Sequence, residues 1–400
     1  MKHSPYRSLY TYAWDVQDIG VTAFVDELLA MGVNDVTLAT SYHAGKFIRP
    51  HAKNAPRVIF PEDGVVYFDP DFSRYAEIQP QAHSDAKIRA VLPALLKDGR
   101  LKVHGWTVLL HNSRIGAAAP QYTVKNAFGD PYVYSLCPMQ PAVFSYAVAL
   151  CADLATQHDL TSLVLETPGW LPYGHGYHHE FAQVASNACL DILLGLCFCP
   201  ACKMAAKKNG IAIDGLQTEV KKNISDYLAH PFDAVNDRNA STLQSEILKT
   251  PDFLAFTKLR QTRVTELVQA IRQAIPTTTK LAVIPTVQRP TSACWIEGSD
   301  LIALSEVADY LEIPFYEASA SRAIADAEES IAQIGSADKV RAILRPGLPD
   351  LNQGAEIAEA MAGIQALGVA DFAFYNYGLL PQTQLDKLEV TLQKESADGA

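Results

Sequence analysis

Two groups of side chains in this chain have types and spacings suited to chemistry. The first is Ser162-Leu163-Val164-Leu165-Glu166-Thr167-Pro168-Gly169-Trp170, followed by Gly174-His175-Gly176-Tyr177-His178-His179-Glu180. A short apolar run of strand length ends there on a carboxylate, a Pro-Gly pair breaks it, and a loop rich in His, Tyr and Gly follows. An acid at the carboxyl end of a buried strand is where α/β barrels place catalytic groups. The second group is Cys197-Phe198-Cys199-Pro200-Ala201-Cys202. Three thiols this close can converge on one tetrahedral ion, and Zn²⁺ favours thiolate sets of that kind. A fourth ligand is then required, and Cys137, beside Pro138, and Cys189 are both candidates. His178-His179-Glu180 is a weaker metal candidate, because adjacent histidines at a helix start point in different directions.

The elements that must carry these groups alternate, strand then helix, eight times. The strands are expected over Leu9 to Asp15, Asp35 to His43, Lys102 to Leu110, the Glu166 segment, Leu281 to Val287, Asp309 to Glu317, Val340 to Pro346 and Asp371 to Tyr377. Amphipathic helices are expected between them, including Val21 to Met31, Lys87 to Leu96, Ala142 to Gln157 and Phe253 to Ile275. Pro93 should interrupt the second of these. A hairpin insertion after the second strand is expected over Arg57 to Phe68, with Glu62-Asp63-Gly64 at its turn. A helical, Cys-containing elaboration should follow the fourth strand, over 181–250. Eight such units joined by right-handed crossovers specify an α/β fold of the (β/α)8, or TIM, barrel type, read as a single domain over residues 1–400. Neither a dinucleotide-binding glycine fingerprint nor a Walker-type phosphate loop is present, so an open doubly wound sheet is the poorer reading and no organic cofactor is expected.

In a barrel the active site gathers at the strand carboxyl ends. Those ends offer Asp15, His43, Trp106, His111, Asn112, Glu166, Gln288-Arg289, Glu312, Glu317, Arg345, Tyr375 and Asn376. Carboxylates for proton transfer, flat rings for sugar faces, and amides or imidazoles for hydroxyls are what a carbohydrate site needs. Glu166 is nominated by position. In the sixth strand Leu311, Ile313 and Phe315 share one apolar face, so Glu312 points to the barrel interior, where an acid without a task is costly. Glu317 stands second as partner to Glu166. Asp15, His43, Trp106, His111, Asn112, Arg345, Tyr375 and Asn376, with His178 and His179 from the loop, would bind the sugar. The expected activity is hydrolysis of a glycosidic bond in a small saccharide or glycoside; a sugar lyase or isomerase using His bases, and a non-catalytic sugar-binding barrel, stay open beside it.

Composition narrows the rest. A formal charge of −11 offers no basic field for nucleic acid or an anionic membrane surface. No run of about eighteen apolar residues and no signal-peptide pattern is seen, and seven cysteines do not suggest a secreted disulfide framework, so a cytoplasmic setting is expected. A homo-oligomer is compatible with all of this.

The order Cys137-Pro138, a strand ending in Glu166, then Cys197-x-Cys199-x-x-Cys202 resembles the family 42 glycoside hydrolases, retaining β-galactosidases built on a barrel. The resemblance implies Glu166 as acid/base and Cys137, Cys197, Cys199 and Cys202 as ligands of a structural zinc. It covers Lys102 to Gly210 in motif terms. The chain departs from the family at Leu165, where an Asn would precede the acid/base. It also departs at Ile343-Leu344-Arg345-Pro346-Gly347, where the family's nucleophilic glutamate would end the seventh strand.

Overall fold

The computed structural model describes residues 5–175, 184, 187–229 and 236–398. Eight parallel strands form the barrel: β1 (Arg7–Thr11), β2 (Asp35–Tyr42), β3 (Lys102–Val108), β4 (Ser162–Glu166), β5 (Lys280–Val283), β6 (Tyr310–Pro314), β7 (Val340–Leu344) and β8 (Asp371–Phe374). Each pairs with the next, and β1 pairs with both β8 and β2, so the sheet closes. The (β/α)8 barrel read from the sequence is the fold.

Alternation along the strands fills the interior. Tyr6, Ser8 and Tyr10 share the inward parity of β1, and the Ser8 hydroxyl meets that of Thr37 on β2 at 2.7 Å. Across the barrel the Tyr6 and Tyr10 hydroxyls donate to one oxygen of Glu312 on β6, at 2.9 and 2.8 Å. Arg341 of β7 lies 3.7 Å from its other oxygen. A carboxylate desolvated this far needs such partners, and here they come from β1 across the barrel and from the adjacent strand β7.

Several expected boundaries shift. β1 stops at Thr11, and Asp15 lies in the first turn of a helix, Ala13–Ile19, rather than at a strand end. The expected helix over Lys87 to Leu96 is two helices, Ala86–Arg89 and Val91–Asp98. Pro93 sits in the first turn of the second, where its missing N–H has no intrahelical partner to lose. A two-stranded antiparallel insertion does follow β2, but it pairs Phe47–Ile48 with Val58–Ile59. Val65–Val66 instead pairs with Ser41 and Tyr42 at the end of β2. Thr123–Lys125 and Pro131–Leu136 form a further antiparallel pair. Between β4 and β5 the chain builds helices Ala188–Leu194, Pro200–Lys208, Ile213–Ala229 and Asn236–Lys249, before the long helix Pro251–Ala274 returns it to the barrel. Among the described residues no helix is long and apolar enough to cross a membrane.

Candidate active site at the carboxyl ends of the strands

A cleft of about 900 Å³ opens at the carboxyl ends of the strands. Its floor and walls are largely aromatic: Trp106 from β3, Tyr10 and Tyr42 from β1 and β2, Tyr316 after β6 and Tyr375 after β8. Tyr10 meets the Trp106 ring edge-on at 5.1 Å between centroids, and the Tyr12 hydroxyl bridges those of Tyr42 and Tyr375 at 3.0 Å each. Burial raises the pKa of the Tyr10, Tyr42, Tyr316 and Tyr375 phenols, so at neutral pH they stay protonated and act as hydrogen-bonding groups.

Glu166 ends β4 and faces into this cleft, with the Trp106 indole N–H donating to its carboxylate at 2.5 Å. The backbone turns sharply just beyond: Thr167 has φ +54°, a region β-branched residues rarely adopt. The turn is pinned by the Leu109 and Leu110 amides, which donate to the carbonyls of Glu166 and Thr167. Burial pushes the Glu166 carboxyl up to about 7, against the opposing pull of the Trp106 hydrogen bond. Such a group holds its proton near neutrality and can also release it, which is the requirement for a general acid. Among the described residues Glu166 is the only carboxylate lining the cleft.

Three imidazoles form the opposite rim. His43 and His111 stack at 3.8 Å, and His175 approaches His111 at 6.1 Å. Burial depresses both stacked rings, His43 to about 4 and His111 further, so both are neutral at pH 7 and poor proton acceptors. The remaining wall carries Arg289 and Arg345, whose guanidinium groups flank the Tyr316 ring at 4.9 and 4.7 Å. Arg345 donates to Asp350 at 2.6 Å.

Of the residues nominated from the sequence, the structure therefore brings Glu166, His43, Trp106, His111, Arg345 and Tyr375 together. It places five others elsewhere. Glu312 lies in the barrel interior beneath Tyr10, fully buried and held by Tyr6, Tyr10 and Arg341. Glu317 accepts from the Arg322 guanidinium at 2.7 Å, outside the cleft. Asp15 is paired with Arg49 at 2.7 Å and packed so close to Gly378 that a Cβ there would sit 2.0 Å from its oxygen. Asn112 caps the helix Ser113–Ala118 by accepting from the Ile115 amide, and Asn376 accepts from the Gly378 amide. Both amides thus close turns. His178 and His179 lie outside the described residues. Tyr10, Tyr42, His175 and Tyr316 were passed over as site residues, and Arg289 was noted at a strand end without a role. The inward parity of β1 was the signal for Tyr10, and that of β6 for Tyr316.

Beside this cleft the Sγ atoms of Cys137, Cys197, Cys199 and Cys202 converge within 4.8 Å of one another, all four residues buried. Cys137 lies 3.8, 3.7 and 3.5 Å from the other three in that order. A tetrahedron with Zn–S bonds of about 2.3 Å has edges of about 3.8 Å, so the set fits a tetrathiolate metal. The Lys125 amide and the Gln140 side chain donate towards Cys197 and Cys199 at 3.4 and 3.7 Å. The buried Arg260 guanidinium, stacked on Trp170, adds positive charge close to these thiols. Four thiolates around a dication carry net negative charge, and these donors suit it. Cys189 is on a neighbouring helix and is not part of the set.

No family model matches the chain, and no curated protein matches it in sequence. Solved structures do match in fold. The PgaB (BpsB) glycoside hydrolase domain from Bordetella bronchiseptica superposes with a TM-score of 0.63 at 12% identity, covering 97% of this chain and 99% of that one. A β-galactosidase from Bacillus circulans sp. alkalophilus gives 0.56 at 10% identity, covering 98% of this chain and 55% of the other. The α-L-fucosidase isoenzyme 2 from Paenibacillus thiaminolyticus gives 0.55 at 11% identity, covering 99% and 50%. The chain spans about half the length of the last two. These neighbours share the barrel, and their names describe glycoside hydrolases.

Proposed function

We propose that this chain is a barrel glycosidase in which Glu166 protonates the glycosidic oxygen of a small saccharide or glycoside. The observation that carries this reading is a carboxyl raised to about 7 at the end of β4 in an aromatic cleft, the only one lining it among the described residues. As the bond to the leaving group breaks, the Glu166 proton passes to the departing oxygen; the carboxylate left behind can then take a proton from the incoming water. Aromatic faces at Trp106 and Tyr375 supply stacking surfaces, while protonated phenols and neutral imidazoles suit sugar hydroxyls. The cysteine set supports relationship to family 42, with a structural zinc bracing the loop after β3 against the segment after β4. Bound there, the ion would supply a cross-link and no chemistry at the cleft.

A lyase or isomerase with His as base is less well supported, because the two stacked imidazoles are depressed far below neutrality. A binding-only barrel draws support from the cleft's having a single carboxylate among the described residues. Screening aryl and natural glycosides with the wild-type chain and with Glu166→Gln separates these readings. Hydrolysis that falls by about 10²–10⁴-fold in the variant is the expected result. Undiminished turnover in Glu166→Gln, or saccharide binding with no turnover by either protein, would overturn it.

A further inference from the structure

Resting on the saccharide reading above, we propose that the sugar held beside Glu166 is anionic, a hexuronic acid whose carboxylate is received by Arg289. The three strands that follow β4 present, in order, Arg289 beyond β5, Tyr316 beyond β6 and Arg345 beyond β7. One phenol ring is thus flanked by two guanidinium groups on the wall adjoining Glu166. The two arginines differ in what they already hold. Arg345 is committed to Asp350, so its charge is matched. Arg289 has no carboxylate within ion-pair distance among the described residues; its one hydrogen bond runs to the Gln288 carbonyl, and its Nε is buried without a partner.

The acids nearest to it are engaged elsewhere. Glu297 accepts from the Thr286 hydroxyl and the Val287 amide at 2.6 and 2.7 Å, and Asp326 from the Thr291 amide and hydroxyl at 2.9 Å each. A partly buried guanidinium with an unused donor is costly unless something arrives to meet it. Its planar fork matches a carboxylate, and a single guanidinium with no carboxylate in contact matches a monoanion better than a phosphate dianion. Lys46, at the exposed rim of the same cleft, adds a solvated positive charge on the approach. In a chain of net charge −11, this local reversal of sign is what selects an acidic sugar over a neutral one.

The test uses the full chain carrying Glu166→Gln, so that bound glycosides are not consumed. Binding of methyl β-D-glucuronide and methyl α-D-galacturonide is compared with that of the neutral methyl glucoside and galactoside by ligand-detected NMR. Glucose 6-sulfate and glucose 6-phosphate complete the panel. At least one uronide should bind about tenfold or more tightly than its neutral parent. That ratio should fall with added salt, collapse towards one when Arg289→Gln is added, and partly return with Arg289→Lys. The salt dependence needs no second variant, so it decides the matter even if the arginine substitutions fail to fold. Neutral glycosides binding as well as uronides, a preference that survives Arg289→Gln, or tighter binding of the sulfate or phosphate ester would each overturn the inference while leaving the Glu166 reading intact. Silence across the whole panel would overturn both.

Discussion

Replacing Glu166 by Gln should make the protein more stable at alkaline pH while removing its chemistry. The carboxyl moves from an ordinary value of 4.5 to about 7 on folding because burial disfavours its anion. At 1.36 kcal/mol per pH unit, that rise corresponds to about 3 kcal/mol of folding free energy, to be discounted towards roughly 1–3 because the side chain keeps some access to solvent. The sign follows from proton binding. Below about 4.5 both folded and unfolded chains carry the proton, and the full stability is present. Between 4.5 and 7 the unfolded chain releases it and the folded chain does not, so stability falls as pH rises. Above 7 both are ionised and the loss is complete. The Gln variant keeps an acceptor for the Trp106 indole and never ionises. Urea denaturation of both proteins at pH 4.5, 6 and 8 should therefore show near-equal stability at the lowest pH and a growing advantage for the variant, reaching a plateau above 7. Glu297, also raised to about 7, is common to both proteins and cancels in the difference. Wild-type turnover should fall above pH 7 as the acid is lost. A variant that is less stable at pH 8, or a difference flat with pH, would refute the environment assigned to Glu166.

Other substitutions probe the remaining placements. Glu312→Gln should leave turnover within a few fold of wild type, since its carboxylate lies beneath the cleft; a loss matching that of Glu166→Gln in the same assay would return it to the chemistry. Arg49→Met leaves Asp15 buried without its partner and should cost about 3–5 kcal/mol at pH 8 by denaturant melts. Because burial holds Asp15 at about 6 even beside Arg49, that cost should shrink at pH 5, where the acid takes up its proton. Cys137→Ser should lower bound zinc, measured by elemental analysis of the purified chain, from about one ion per chain and reduce the melting temperature; undiminished zinc would remove Cys137 from the ligand set.

How much of this was legible beforehand depends on the range of the interaction involved. Periodicity reports which face of a strand is apolar, so the eight strands, the closed barrel and the inward direction of Glu312 follow from local pattern. The same local logic nominated Glu166, whose strand is framed by an apolar run and a Pro-Gly break. Pattern does not report depth. Glu312 and Glu166 both sit on strands, but Glu312 lies where Tyr6 and Tyr10 reach it from β1, whereas Glu166 clears the rim. Asp15 was misplaced because the chain turns into a helix at Ala13, allowing Arg49, more than thirty residues on, to claim the carboxylate.

The sequence by itself thus determined the architecture, the acid at the end of the fourth strand and three of the four clustered thiols, since these depend on period, spacing and residue type. Only the tertiary structure decided that Cys137 rather than Cys189 completes the set, that one carboxylate among the described residues faces the cleft, and that Arg289 stands there with an unused donor. Each of those is a matter of what lies within a few ångströms across the barrel. Chain closure settles such distances, and neighbouring residues in the sequence do not encode them.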